Sequence, residues 1–448
     1  MSFRKWILPC LLLGSTSTAY GEDLLEIYHQ ALTHDARWAA AQHAATAGGE
    51  KLAQGRAALL PTLSVSGSKT YYDASIEYQS STPLASGDRD YSIREYGANL
   101  TQPLYRKPNF AQYLQGRAQA ALAEIQLTAA RTELALRVAQ AYFDVLFAQD
   151  ALQLATAQKT AFQKEYDQAQ ARFAAGAVAI TDVHETRARL DLAVSQEIAA
   201  LNDVEIKRQG LRRITGLPPM ALLSLKPDLS PLQPEPNNID DWVAKADELS
   251  PQIQAQRLAL EVTEREVEKA SGAHHPTVDA VANYTVNNST GGIAGGVYTN
   301  VESDITSKSV GIQVQIPLFQ GGGTASRERE AVALREKARE ELTDARRLVA
   351  LQTQQAFLTV GNSLSQIIAM EQAVASSNSL LDATRDSAKV GLKTRTDVLN
   401  AEQQLFGAKR DLARARYSYL LGMLQLKASA GTLVEEDLAS TNSLLARE

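Results

Sequence analysis

Between Asn109 and Ala175 the chain contains one glycine, Gly116, and no proline. A stretch of ~68 residues with that composition reads as one uninterrupted helix, about 100 Å long at ~1.5 Å per residue. A rod of that length does not fit inside an ordinary compact domain, so an extended architecture is expected. Its apolar residues keep a heptad beat through Leu134, Val138, Ala141, Val145, Ala148, Leu152 and Ala155, then Phe162, Tyr166, Ala169 and Phe173, broken at Lys159. This is a coiled-coil seam. A second long segment carries the same beat through Val349, Ala356, Val360, Ile367, Met370, Val374, Leu381 and Ala388. Aromatic residues make up only 6% of the chain and the apolar fraction leans on alanine, which suits close helix-to-helix packing better than a thick mixed core.

The second rod is a copy of the first. Pro61-Thr62-Leu63 recurs as Pro276-Thr277-Val278, Gly176 as Gly391, Asp182 as Asp397 and Gly216 as Gly431, always at the same offset, and Pro103-Leu104-Tyr105 recurs as Pro317-Leu318-Phe319 one residue short of it. So long a period argues for two half-domains rather than a solenoid. Each copy reads as short helix, strand, loop, strand, long helix, tip, return helix. The tips are Gly176 to Val183 and Gly391 to Val398, each Gly, five residues, Asp-Val. Glycine just past a helix end terminates it, and Asp or Thr before the next helix accepts that helix's free N–H groups, so each tip reads as a helical hairpin. The return helices are expected at Asp182 to Gln209 and Asp397 to Leu426.

Strands are expected over Pro61 to Tyr72, Tyr91 to Tyr105, Thr277 to Asn287 and Lys308 to Phe319, with loops at Asp73 to Asp90 and Asn288 to Ser307. In the last strand Val310, Ile312, Val314 and Ile316 alternate with Ser309, Gly311, Gln313 and Gln315. The apolar face could point into a soluble sandwich or out toward lipid. Strand number bears on this, because about eight strands are needed to close a barrel. Four strands would have to close with other copies, and three copies would supply twelve.

Arg4 and Lys5 precede an apolar run, and Ala19-Tyr20-Gly21 offers a cleavage site, so residues 1–21 read as a secretory signal. The only cysteine, Cys10, falls inside it, behind Pro9 where lipidation would want a small residue. No later stretch is apolar enough to span a bilayer as a helix. The formal charge of −6, or −8 without Arg4 and Lys5, argues against a nucleic-acid partner. Gly321-Gly322-Gly323 lacks the Lys-Ser/Thr ending of a phosphate loop. His274-His275 has no third ligand at metal spacing. No catalytic motif is present, so the chain is read as a non-enzyme without cofactor, metal or catalytic residues.

The signal, the duplication, two strands per half, Pro317 to Gly322 and both tips resemble the TolC family of outer-membrane efflux ducts, over essentially the whole mature chain. Arg172 to Leu190 and Ala415 to Leu433 are the most similar stretches. The resemblance implies an α+β membrane protein, with a long α-helical coiled-coil barrel and a transmembrane β-barrel of four strands per protomer, closed as a homotrimer. The expected divisions are a signal at 1–21, a first repeat at 22–215, a linker or equatorial collar at 216–239, a second repeat at 240–430 and a C-terminal equatorial segment at 431–448. It also implies a passive exit duct for tripartite efflux or type I secretion. Its partners would be a periplasmic adaptor (membrane fusion protein), an inner-membrane pump of ABC, RND or MFS type, and outer-membrane lipid. The competing reading is a periplasmic coiled-coil adaptor, which would not need lipid-facing strands.

By position, the resemblance implies a periplasmic entrance at the tips. Gly176, Ala177, Val178, Gly391 and Leu392 would meet the adaptor. Lys393 would be a latch to Thr181 and Asp182 of the neighbouring tip, and Asp397 with Asn400 would ring the constriction. Asn400 stands where the family has a second carboxylate, which halves the ring's formal charge and predicts weaker cation block. Ala388 stands where a tyrosine helps lock the closed entrance.

Overall fold

The computed structural model of the protein describes residues 22–78, 86–219, 221–226, 233–294 and 297–446. The expected signal, with Cys10, lies outside them, as does Pro231 of the linker. The first copy supplies α1 (Leu24–His34), α2 (Ala36–Ala57), β1 (Thr62–Ile76), β2 (Gly87–Tyr105), α3 (Lys107–Ala174) and α4 (Ile180–Thr215). The second repeats that order with α5 (Ile239–Leu249), α6 (Pro251–Gly272), β3 (Thr277–Ser289), β4 (Gly292–Ala294), β5 (Val297–Thr299), β6 (Ser303–Gln315), α7 (Gly323–Lys389) and α8 (Arg395–Ser429), and α9 (Glu435–Asn442) follows. Two compact units result, one of residues 22–41, 129–250 and 348–446, the other of residues 42–128 and 251–347. Each draws on both copies of the repeat.

The second unit holds an antiparallel sheet in the order β1-β2-β3-β6. Its register sorts side chains cleanly, because successive residues of a strand face opposite ways. One row is Leu63, Leu100, Ala282 and Val310, and the next row, on the other face, is Ser64, Asn99, Asn283 and Ser309. The apolar face is uncovered within the chain: Leu63 is 70% exposed, Val65 80%, Val310 87% and Ile312 71%. A sandwich would have buried it. The strands run further into the expected loops than the alternation suggested, and β4 and β5 pair as a hairpin inside the second loop. β6 ends at Gln315, so Ile316 to Phe319 are not strand, and Pro317, which cannot donate to a ladder, gives the reason. At the helix side of the sheet, Arg106 donates from Nε and Nη2 to Asp279 at 2.7 and 2.5 Å, joining the end of β2 to β3. Gly116 explains its place in an otherwise glycine-free rod, since a Cβ there would lie 2.3 Å from the carbonyl oxygen of Lys51 on α2.

In the first unit α3 buries more than the single expected seam. Leu134, Val138 and Val145 are buried as the heptads require, and so are Ala135, Ala139, Tyr142, Phe143 and Leu146. The extra face is covered because short segments wrap it. Glu22 bridges to Leu222, Leu225 bridges to Leu445, and the Tyr142 hydroxyl lies 3.2 and 3.1 Å from the carbonyl oxygens of Glu22 and Leu223. Phe143 and Phe147 pack on Tyr417, whose hydroxyl donates to Asp150 at 2.8 Å. Asp35 accepts from both Nη atoms of Arg137 at 3.1 and 3.0 Å, tying the α1–α2 junction to α3. The break at Lys159 becomes intelligible, since its ammonium donates to Glu197 of α4 at 2.7 Å. Along α7 the seam contains hydroxyls that an apolar count misses: Thr353, Ser363, Ser377 and Thr384 are buried alongside Val360, Ile367 and Leu381. These small side chains keep the 3-4 spacing while letting helices approach closely.

Candidate functional site

Both tips stop their first helix in the same way. Gly176 has φ +70° and Gly391 φ +80°, the left-handed conformation that glycine adopts without strain. The following amides reach back to orphan carbonyls, Ala177 to Arg172 and Leu392 to Ser387, both at 2.9 Å. These are Schellman-type ends.

The starts of the return helices differ from the expectation and from each other. α4 begins at Ile180 and α8 at Arg395, so neither Asp182 nor Asp397 is the residue before its helix. At the second tip Thr394 is the N-cap. Its hydroxyl accepts from the Asp397 amide at 3.2 Å, while Asp397 Oδ2 accepts from the Thr394 amide and hydroxyl, both at 2.9 Å. This is a capping box. The backbone N–H and hydroxyl of Thr394, and to a lesser degree Lys393, hold the Asp397 carboxyl below the usual aspartate range. At the first tip the N-cap is Ala179, with no side-chain hydrogen bond, and Asp182 sits in the first turn, where a negative charge suits the helix dipole.

Apart from Asn400, the cross-links at the tips are made by residues the sequence did not single out. Arg395 of α8 pairs with Glu165 and donates to Gln168 Oε1 at 2.7 Å, both on α3. Thr396 donates to Glu185 of α4 at 2.9 Å. Arg189 of α4 donates to Asn400 Oδ1 and Gln403 Oε1, each at 2.9 Å. Within the α7–α8 hairpin Arg385 donates to Glu402 Oε1 at 2.6 Å. Glu402 is only 1% exposed and its other oxygen has no hydrogen-bond partner. Burial disfavours the charged form of Arg395, and the nearby Glu402 favours it. A cleft of about 610 Å³, lined by Thr156, Thr160, Lys164, Glu165, Arg385 and Glu402, lies beside this cluster.

Of the expected site residues, Asn400 and Asp397 therefore have partners inside the chain, Arg189 and Thr394 respectively. Lys393 and Thr181 are exposed, and no link between Lys393 and Thr181 or Asp182 is made among the described residues of one chain. Gly176, Ala177, Gly391 and Leu392 are exposed and Val178 is half-buried. Ala388 packs against Leu381, Val398, Ala401 and Leu405. His274 lies 3.3 Å from Glu328 and His275 accepts from Lys107 at 3.1 Å, and no cluster of metal-ligating side chains occurs among the described residues. Two clues to the missed residues stand in the sequence. Glu402 follows Val398 by four and precedes Leu405 by three, which puts a carboxylate in an apolar seam, and Arg395 places a cation at a helix N-terminus, where the dipole disfavours it.

A family model described as outer membrane efflux protein matches residues 27–217 and 242–432. The alkaline protease secretion protein AprF of Pseudomonas aeruginosa is 33% identical over 445 residues, spanning 98% of this chain and 91% of that protein. The outer membrane protein TolC of Escherichia coli is 31% identical over 455 residues, spanning 99% and 90%. Among solved structures, the outer membrane protein VceC of Vibrio cholerae superposes with a TM-score of 0.76 at 20% identity over 91% of this chain and 96% of that one. CusC does so with a TM-score of 0.78 at 16% identity over 92% of each.

Proposed function

The chain belongs to the outer membrane efflux protein family, whose members here are outer-membrane channels of Gram-negative bacteria, and from that membership we propose that it is the passive exit duct of a tripartite efflux or type I secretion system. The observation that carries this reading is the uncovered apolar face of a four-stranded sheet whose outer strands, β1 and β6, each leave one edge unpaired. In lipid such edges are intolerable, so the sheet must close with copies of itself, and three copies give a twelve-stranded barrel. The long helices of the three copies then form the tunnel, with the equatorial segments 216–239 and 431–448 as its collar. The signal at 1–21 directs export. The periplasmic adaptor reading does not account for the exposed sheet face. Detergent dependence and a heat-sensitive trimer on a gel support the duct, and a water-soluble monomer ends it.

The tips form the periplasmic entrance. Gly176, Ala177, Val178, Gly391 and Leu392 meet the adaptor, which works with an inner-membrane pump. Lys393, exposed beside Asp397, reaches Thr181 and Asp182 of the neighbouring copy. Asp397 supplies the only carboxylate of the ring, because Asn400 is neutral and its carbonyl is engaged by the Arg189 guanidinium. Cations are therefore held weakly at the constriction. Single-channel recordings with divalent cations on the periplasmic side test this. Weak block that disappears in Asp397→Asn and strengthens in Asn400→Asp is expected. Block surviving Asp397→Asn would sink the assignment. Cargo is small molecules, secreted protein or both, the second suggested by the secretion role in the name of the Pseudomonas relative.

A further inference from the structure

The apolar face of the sheet carries three cations. Counting along the register, its rows are Leu63, Leu100, Ala282 and Val310, then Val65, Ala98, Tyr284 and Lys308, then Gly67, Tyr96, Val286 and Thr306, then Lys69, Arg94, Asn288 and Asp304. Lys69 and Arg94 stand directly opposite each other on adjacent strands, an arrangement that costs stability unless an anion lies between them. Lys69, Arg94 and Lys308 are exposed. None of them forms an ion pair among the described residues. Lys69 lies 4.6 Å over the Tyr71 ring and Lys308 5.7 Å over that of Tyr284. The carboxylate in the Lys69 row, Asp304, is two strands from Arg94 and accepts from Asn288. Asp73 and Asp90 oppose each other four residues further along their strands, about 13 Å away.

Lys69 and Arg94 share a row, whereas Lys308 stands in the Val65 row, four residues away along the register. Lys69 is seven residues beyond Thr62, where β1 begins, and Lys308 is seven residues from Gln315, where β6 ends. Seven residues span ~23 Å along a strand and ~18 Å along the membrane normal at a tilt of about 40°. Thr62 follows α2 and Gln315 precedes α7, so on the duct reading these ends are periplasmic, and the Lys69 and Arg94 backbone stands ~7 Å below the outer edge of an apolar band that is ~25 Å tall in such barrels, a gap that long cationic side chains bridge by extending toward the headgroups. A charge on the lipid face is expensive at mid-membrane and nearly free at the boundary, which accounts for cations being tolerated there and not lower. Tyr71, Tyr96 and Tyr284 flank them, as aromatic side chains do at that level.

We propose that Lys69 and Arg94 form a binding site for the phosphate of a phosphorylated glycolipid headgroup in the outer leaflet, with Lys308, two strands and four residues from Arg94 in the register, outside it. The occupant is anionic because the cations have no counter-ion among the described residues. It is phosphate-bearing because a guanidinium beside an ammonium matches phosphate oxygens, and it is a lipid because the rows on one side of the cations are apolar and exposed. The site rests on the barrel reading. It would hold the sheet at a set depth in the outer leaflet.

The test reconstitutes the full-length trimer into phosphatidylcholine vesicles doped with diphosphoryl lipid A, in competition with phosphatidylglycerol, and counts retained lipid A by native mass spectrometry. Wild type should retain lipid A in preference to phosphatidylglycerol. Changing Lys69 and Arg94 together to glutamine should weaken retention roughly 30-fold, and Lys69→Gln or Arg94→Gln alone about 5-fold, at the usual worth of a cation near a charged membrane. The single variants decide the matter if the double variant does not assemble. Arg327→Gln, an exposed cation on α7, should leave retention unchanged. Equal retention by wild type and variants, equal competition by phosphatidylglycerol, or an equal loss in Arg327→Gln overturns the site. Failure of wild type to enter vesicles at all overturns the barrel reading and the site with it, whereas insertion without lipid A preference overturns the site alone.

Discussion

The two tips share an ancestor and a backbone, and differ in how they are fastened. Each first helix stops at a left-handed glycine with the same return hydrogen bond. Beyond that point the second tip has a reciprocal capping box, a buried carboxylate paired with Arg385, and Arg395 tied back to α3. The first tip has an alanine at the cap and contributes mainly acceptors and one arginine to links whose other ends lie on α8. Duplication conserves what the main chain must do to turn. Side chains are then free to diverge, and here the second hairpin supplies most of the clasp.

The largest test of that asymmetry is Arg385→Ala. It leaves the Glu402 carboxylate buried without its hydrogen-bonded partner and with only the nearby Arg395 charge to offset it, which costs up to about 3 kcal/mol. Amide hydrogen exchange along α8 near Glu402 should speed up accordingly, and adding Glu402→Leu should restore most of the protection. Unchanged exchange in Arg385→Ala would show that the pair does not hold the hairpin. A smaller effect is expected from the caps. Thr394→Ala should lower the local stability of the α8 start by about 1 kcal/mol, and Ala179→Thr should raise that of α4 by a few tenths to 1 kcal/mol, bringing the tips closer together. If Thr394→Ala and Ala179→Thr both leave exchange unaltered, the caps are not what distinguishes them.

The smallest expected effect is a pH dependence confined to the second tip. The folded state holds the Asp397 carboxyl below its ordinary value. Its contribution is therefore complete above about pH 4, the range of an unperturbed aspartate, and is lost as pH falls through the lowered value. Exchange at the Asp397 and Val398 amides, corrected for intrinsic rates, should show loss of protection only in that acid range, and Thr394→Ala should remove the dependence. A matching loss at the Ala179 cap, which has no side chain to titrate, would contradict the assignment.

Much of the fold was legible because it is local and periodic. The 3-4 beat from Leu134 to Phe173, the alternation from Val310 to Ile316 and the glycine stops at 176 and 391 each involve residues a few positions apart, so spacing alone carries the physics. The limits of that reasoning show at the same elements. Pro317 ended β6 earlier than its alternation suggested, and the hydroxyls Thr353, Ser363, Ser377 and Thr384 took seam positions that a count of apolar residues passes over.

The amino-acid sequence by itself determined the duplicated rods, the two hairpin tips and a sheet with one apolar and one polar face. Only the tertiary structure decided which polar side chains meet at the tips. Arg189 with Asn400, Thr396 with Glu185 and Arg395 with Glu165 join residues more than two hundred positions apart, through long side chains whose reach depends on how α3, α4 and α8 pack. No periodicity encodes such a meeting. A helix face can be read from one strip of chain, but a network of links across three helices exists only once all three are in place.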